Sequence, residues 1–516
     1  MEMKKKLALL VVMVLLCTSL VACGKSNSVD KTANGGTKSI VIGVGQFPTN
    51  LDPALEFNGW FVYEFGIGET LVKFTETMEI EPLLADSWNR VDDLTWKFHI
   101  RPGVKFHNGV AVTAEAVKSS IERSLKLNPR TAEILLINAM AADGQNLTIT
   151  TKTPYEALLG NLADPLAIIV DTTAKTETFA QAPIGTGPFK IQSYSEGKQA
   201  IVEKNKEYWR EKALIDVATF NYIKDNNTRS MALQSGEVDV ANYISSSNIS
   251  LYEGNSSYKV DKISSLRIIM AYENLNNEFL KDPAVRKAIA LGVDRESYAK
   301  TLLKGTAVAA VGPFPASLPF GAKKLTGYTY DKAAAAKAMA DAGYADSDKD
   351  GILEKSGKKL ELRMALYTTR SELPILGEAM QAQLKEIGIS LKLESYESVS
   401  TVLKNKNFDL CLYSVNTATT GDPQSFLTLY FKTGGTANYG GYSNQAVDAL
   451  INKLSTERDT QARYDIATKA QQIILNDNAD AFLVTPMLNI ISKKTVSGIK
   501  MYPVDYYLLD NKVNIE

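Results

Sequence analysis

Leu94-Thr95-Trp96-Lys97-Phe98-His99-Ile100-Arg101-Pro102-Gly103-Val104-Lys105-Phe106-His107-Asn108-Gly109 is the stretch whose pattern decides the fold. Trp96, Phe98 and Ile100 alternate with Lys97 and His99, which is the period of a strand with one buried face. Pro102-Gly103 ends the strand with a turn that fits a hairpin. Thr113 then caps a helix over Ala114 to Leu125, whose apolar residues recur at helical spacing, with Glu115 suited to its first turn.

The same alternation of strand and helix continues outward. Asp282-Pro283 caps a second helix over Ala284 to Leu291, with proline at the first helical position and Gly292 near its stop. Asp294 starts another that runs through Leu303 to Gly305. Extended segments are expected at Ser39 to Val44, Leu147 to Thr151, Phe189 to Tyr194, Val238 to Tyr243, Leu360 to Tyr367 and Ile389 to Ser395. Interleaved strands and helices define an α/β or mixed α+β class. A chain of 516 residues exceeds a single core, so two or more lobes are expected.

At the front, Lys4, Lys5 and Lys6 precede a short apolar run from Leu7 to Leu16, then Leu20-Val21-Ala22-Cys23-Gly24. The run is too short to span a bilayer and reads as a secretory signal over residues 1–22. The cysteine directly after the small-residue site resembles a bacterial lipobox, which implies that Cys23 carries the lipid that anchors the mature chain to a membrane. Residues 24–38 are polar and rich in Gly, Ser and Asn, a flexible tether. Only Cys411 then remains in the body, in an apolar strand-like run, so no internal disulfide is possible and its thiol reads as packed and inert. The net charge of −1 shifts to about −3 once residues 1–22 are removed, and it gives no support to nucleic-acid binding.

Four blocks together carry a family likeness: Glu69 to Lys73 with Glu81 to Trp88; Leu94 to Gly109; Ala182-Pro183-Ile184-Gly185-Thr186-Gly187-Pro188-Phe189; and Asp282 to Ala290. Their order and spacing resemble the large substrate-binding proteins of peptide and nickel ABC importers, solute-binding family 5. The resemblance implies a two-lobed periplasmic-binding-protein fold: lobe I over residues 39–271 with an extra subdomain at about 74–184, lobe II over 272–488, and a return to lobe I over 489–516. It implies hinge passages near Tyr272 to Asn276 and Leu488 to Ser492. It also implies a monomeric receptor without a cofactor, whose ligand is a small peptide or a metal chelate, and whose partners are an ABC permease and its ATPase subunits. Gly185-Thr186-Gly187-Pro188 reads physically as a sharp re-entry into a strand, with glycines free to take positive φ. No helix start follows it, so it is not a phosphate loop.

The ligand loop is expected to be Ser414 to Leu427, between an apolar strand and a short helix, with Asn416, Thr417, Thr420, Asp422 and Gln424 as contacts. In peptide-binding relatives an acidic residue of the corresponding loop pairs with the ligand's α-ammonium, which makes Asp422 the candidate; equally, Asp422-Pro423 is a helix cap. Arg130 is the candidate for a ligand carboxylate, since arginine binds carboxylates bidentately. Trp60 is the candidate aromatic wall, sharing a helix face with Glu64. Nickel-chelate members carry aromatic residues where this loop has Thr417, Thr419, Thr420 and Gly421.

Only His99 and His107 are present, without a matched metal shell nearby in sequence, so a carried metal is expected to arrive already chelated. Asp346, Asp348 and Asp350 resemble the opening of a calcium loop, but Gly357 stands where the closing glutamate belongs, which leaves a solvated turn or weak calcium binding. Ser297-Tyr298-Ala299-Lys300 with Lys432-Thr433-Gly434 mimics a serine penicillin-binding or β-lactamase site, but the intermediate Ser-Asp-Asn is missing and an enzyme is not expected. A receptor that only senses its ligand is the other alternative. Peptide and nickel chelate remain open as ligands.

Overall fold

The computed structural model describes residues 36–516. The expected signal, Cys23 and the tether up to residue 35 lie outside the described residues. Among the described residues no helix is long and apolar enough to cross a membrane.

One large sheet organises the chain. Strand β1 (Ser39–Val44) lies between two parallel partners, β2 (Val217–Tyr222) and β3 (Val240–Asn242). Farther on come β4 (Arg267–Glu273), β5 (Glu361–Tyr367), β6 (Ser390–Tyr396) and β7 (Leu410–Asn416). Of these, β5 is parallel to β6 and β7, and β4 runs antiparallel beside β7. The long strand β8 (Asp480–Lys493) joins the two sets: its start pairs with β4 and its end with β3, antiparallel in both cases. The expected mixed α/β class is borne out by this order.

These strands form because their sequences are apolar where both faces are covered. Ile268 to Ala271 in β4 are fully buried, as are Leu410 to Leu412 in β7, including Cys411. Burial pushes the Cys411 thiol up to about 12, so it stays protonated and inert. The sheet changes partners at Ser265 and Pro486, where the Ser265 hydroxyl donates to the Pro486 carbonyl over 2.7 Å. Proline offers no N–H to a ladder, which suits a break in pairing. Tyr272 and Leu488, expected near the passages, lie in strands, opposite Cys411 and Ile263 respectively.

The opening stretch behaves as its alternation predicts. Thr95–Ile100 buries Trp96, Phe98 and Ile100 and exposes Lys97. Its ladder partners are Ala85–Arg90 and Asn146–Thr151, whereas beyond the Pro102-Gly103 turn there is only an isolated bridge between Lys105 and Ala111. With Ile137–Asp143 these make a separate four-stranded sheet. Thr113 caps the helix Ala114–Leu127 by accepting from the Ala116 amide at 3.2 Å, and Asp282 caps Pro283–Gly292 in the same way. The glycines of Gly185-Thr186-Gly187-Pro188 serve a different purpose from the one expected. Neither has positive φ. A side chain at either would overlap the carbonyls of Ile67 or Gly66, so close backbone approach is what requires them.

Candidate ligand-binding site

Strand directions locate the site. β8 runs from the second half of the sheet into the first; β1 and β3 run against it, while β5 and β7 run with it. The carboxyl ends of both parallel sets therefore point at the seam between the halves. Ligands of open α/β sheets bind at such strand ends.

Five chain segments deliver titratable side chains to this seam. Glu64 comes from the helix Asn58–Glu64, Tyr243 follows β3, Arg267 opens β4, Arg370 follows β5, and Asp505 comes from the C-terminal segment. Tyr243 holds φ +50°, a strained left-handed conformation for a bulky residue and one that clusters at functional sites. Burial, then the neighbouring Arg370, hold the Arg267 guanidinium below its usual range. Burial also raises Asp505, with Arg267 opposing that rise, and raises the Tyr243 phenol, which stays neutral beside Asp505 and Glu64. Glu64 is 5% exposed and burial pushes it up to about 8, so it is protonated at neutral pH. A cavity of about 30 Å³ lies against Glu64, Asn242, Tyr243, Asn489 and Asp505.

Arg267 has no carboxylate within 4.0 Å among the described residues, and Arg370 reaches only Glu372, at 3.8 Å. Two neighbouring guanidinium groups, with Glu372 at 3.8 Å from one and Asp505 acting on both from beyond 4.0 Å, form a place where a carboxylate of a ligand gains bidentate hydrogen bonds and charge neutralisation. Neither residue stands out in sequence. The available signal was a lone charge inside an apolar run: Arg267 between Leu266 and Ile268, and Asp505 between Val504 and Tyr506.

The expected loop is a different kind of place. Asp422 is held bidentately by Arg463 at 2.7 to 3.0 Å, and that arginine is 5% exposed. The same carboxylate accepts from the Gln424 amide at 2.8 Å, and the Gln424 side chain accepts from Arg463 at 3.1 Å. Thr417 is tied to the Leu266 carbonyl through both its amide and its hydroxyl, and the Thr420 hydroxyl turns back onto Asp422. Asn416 stands opposite Arg267 in the ladder. The carboxylate proposed for an α-ammonium is thus paired with an internal cation, and the cap position of the following helix Gln424–Phe431 is held by Pro423.

Segment 158–167 brings the other expected residues to one wall. Asp164 binds Arg130 at 2.8 Å, and the Arg130 guanidinium also sits 5.3 Å over the Phe57 ring. The Pro165 carbonyl packs on Gly59, and Trp60 meets Tyr506 edge-on at 4.8 Å. Gly160 lies against the Thr420 backbone of the loop.

Other sequence candidates are engaged elsewhere. His99 pairs with Asp86 at 2.8 Å, and His107 is bound to the Gly187 carbonyl and held down to about 4 by burial. Asp346, Asp348 and Asp350 cluster on the surface, where the Lys359 ammonium pairs with Asp348 and Asp350. Lys300 pairs with Glu296 while 77% exposed, and Lys432 donates to Asn452.

A two-lobed arrangement with a charged seam defines a solute-binding protein. The description "Bacterial extracellular solute-binding proteins, family 5 Middle" matches residues 79–438, and the chain belongs to that family. Nickel-binding protein NikA of Staphylococcus aureus is 30% identical over 456 residues, covering 88% of this chain and 90% of NikA. The structure of that NikA with Ni(L-His)2 superposes with a TM-score of 0.75 at 28% identity, over 93% of this chain and all of that one. A nickel ABC transporter protein from Bacillus halodurans gives a TM-score of 0.83 at 29% identity over the same shares. Dipeptide-binding protein DppE of Bacillus subtilis is 25% identical over 529 residues, covering 95% of this chain and 94% of DppE.

Proposed function

We propose that this chain captures a small carboxylate-bearing solute, a nickel(II) chelate of an amino acid, outside the cytoplasm and delivers it to an ABC permease whose ATPase subunits hydrolyse ATP. The observation that carries this reading is the Arg267–Arg370 pair at the seam, two neighbouring guanidinium groups of which Arg267 has no carboxylate within 4.0 Å among the described residues and Arg370 has only Glu372, at 3.8 Å. Both histidines are already engaged, so the metal comes with its chelator rather than being bound by imidazoles of the protein. The likeness to nickel-binding relatives supports this choice of solute. Lipid on Cys23 keeps the receptor near its permease.

Closure turns on Ser264–Arg267 and Thr485–Met487, where the sheet changes partners. A ligand that touches both halves favours the closed state by its differential contacts. A short peptide is the second reading, favoured by Asp505 facing the arginines with opposite charge, which suits a zwitterion. Isothermal titration with nickel(II), with and without L-histidine, and with a panel of di- and oligopeptides separates the two. Heat from nickel with histidine alone supports the chelate; heat from peptides alone replaces it; silence from all probes removes both.

A further inference from the structure

The loop after β7 meets the first half of the molecule backbone to backbone. The Thr420 carbonyl lands on the face of Gly160, in the helix Leu158–Asn161, so closely that a methyl group at position 160 would overlap the carbonyl oxygen. Gly160 is buried and has no positive φ, so its backbone does not require glycine. Glycine in a helix is otherwise disfavoured relative to alanine. Next to it, Gly421 sits 3.0 Å (as a Cβ would measure) from the Phe74 ring and 3.2 Å from the Met78 carbonyl. The hairpin Val72–Phe74 with Ile80–Pro82 and the helix at 160 therefore form a socket for residues 420–421.

The loop arrives in this socket already rigid. Arg463 grips Asp422 and Gln424, the Leu266 carbonyl grips Thr417, and the Thr420 hydroxyl turns back to Asp422. Arg463, Asp422 and Gln424 belong to the loop's own half of the molecule, and Leu266 lies in the passage between the halves. A carbonyl held in this way cannot swing aside when its socket is filled.

We propose that Gly160 and the Thr420 carbonyl form a catch that permits the closed cleft, with Gly160 as a positioning residue for closure and Asp422–Arg463 as the brace that sets the catch. The catch rests on the hinge closure of the proposed function but not on the identity of the solute. It assigns the polar character of residues 416–424 to closure rather than to direct ligand contact.

The test reads closure without ligand. Asp93 and Arg458 pair across the rim, one in the turn between Ala85–Arg90 and Thr95–Ile100 and the other before the helix Thr460–Asn476. In a Cys17→Ser, Cys23→Ser background, Asp93→Cys with Arg458→Cys is treated with a short bismaleimide, Cys411 being buried and unreactive. The unaltered Gly160 chain is expected to cross-link, and Gly160→Val to cross-link at least tenfold more slowly with an unchanged melting temperature. Should Gly160→Val fail to fold, Gly160→Ala decides alone, with a severalfold slowing expected. Undiminished cross-linking in a folded Gly160 variant overturns the proposal, as does the absence of cross-linking in the parent. Neither result bears on the solute, which titration reads separately.

Discussion

Two regions of the seam look alike in kind and differ in accounting. The loop over residues 416–424 is crowded with polar side chains, and those of Thr417, Thr420, Asp422 and Gln424 have internal partners. The junction of Glu64, Tyr243, Arg267, Arg370 and Asp505 holds two guanidinium groups whose only carboxylate within 4.0 Å among the described residues is that of Glu372. A buried polar group that is fully paired stabilises a shape, whereas one left short of partners is available to a ligand. The contrast teaches that residue type names candidates and satisfaction separates them.

The largest effect should come from breaking the paired region. Arg463→Ala leaves Asp422 enclosed without its cation, and losses of about 3–5 kcal/mol are typical for removing one partner of a buried pair. Urea unfolding should show that loss, and a change below about 0.5 kcal/mol would mean the loop is not braced.

The next test sharpens the other side through pH. Glu64 is raised to about 8 by burial and then by Asp505, so the folded state keeps a proton that the unfolded state releases near the ordinary carboxyl value. Stability is therefore greatest below about 4.5 and falls by up to about 1.4 kcal/mol per pH unit until about 8, above which it levels. Glu64→Gln should flatten that contribution in a pH series of unfolding curves; an unchanged slope would place the titration elsewhere.

Arg370→Ala inverts the expectation for Arg463. Solute affinity should fall about tenfold or more, equivalent to about 1.4 kcal/mol, with little change in unfolding midpoint. A midpoint shift as large as that of Arg463→Ala would erase the distinction between the regions. The smallest effect belongs outside the seam: the Lys359 ammonium already lies on Asp348 and Asp350, so millimolar calcium should leave the melting temperature unmoved.

Much of the scaffold was legible because it follows from local periodicity. The strand Thr95–Ile100, the Thr113 and Asp282 caps and the buried strand around Cys411 all depend on residues within a few positions of one another. The Gly185 and Gly187 pair was recognised as special for the wrong reason, since the Ile67 and Gly66 carbonyls that crowd it lie over a hundred positions away in sequence. Asp422 was legible as a residue type, but its partner Arg463 stands 41 positions later on a separate helix.

By itself the sequence determined the class, the interleaved elements, the family and the expectation of export, because alternation, caps and spaced blocks are written in neighbouring residues. Tertiary structure alone decided which polar groups are spoken for. Charges from Glu64 to Asp505 meet only when β8 carries the chain across both halves, and the fit of Gly160 under Thr420 exists only once the halves meet. Pairing and steric fit depend on distances between remote residues, and no local pattern encodes those.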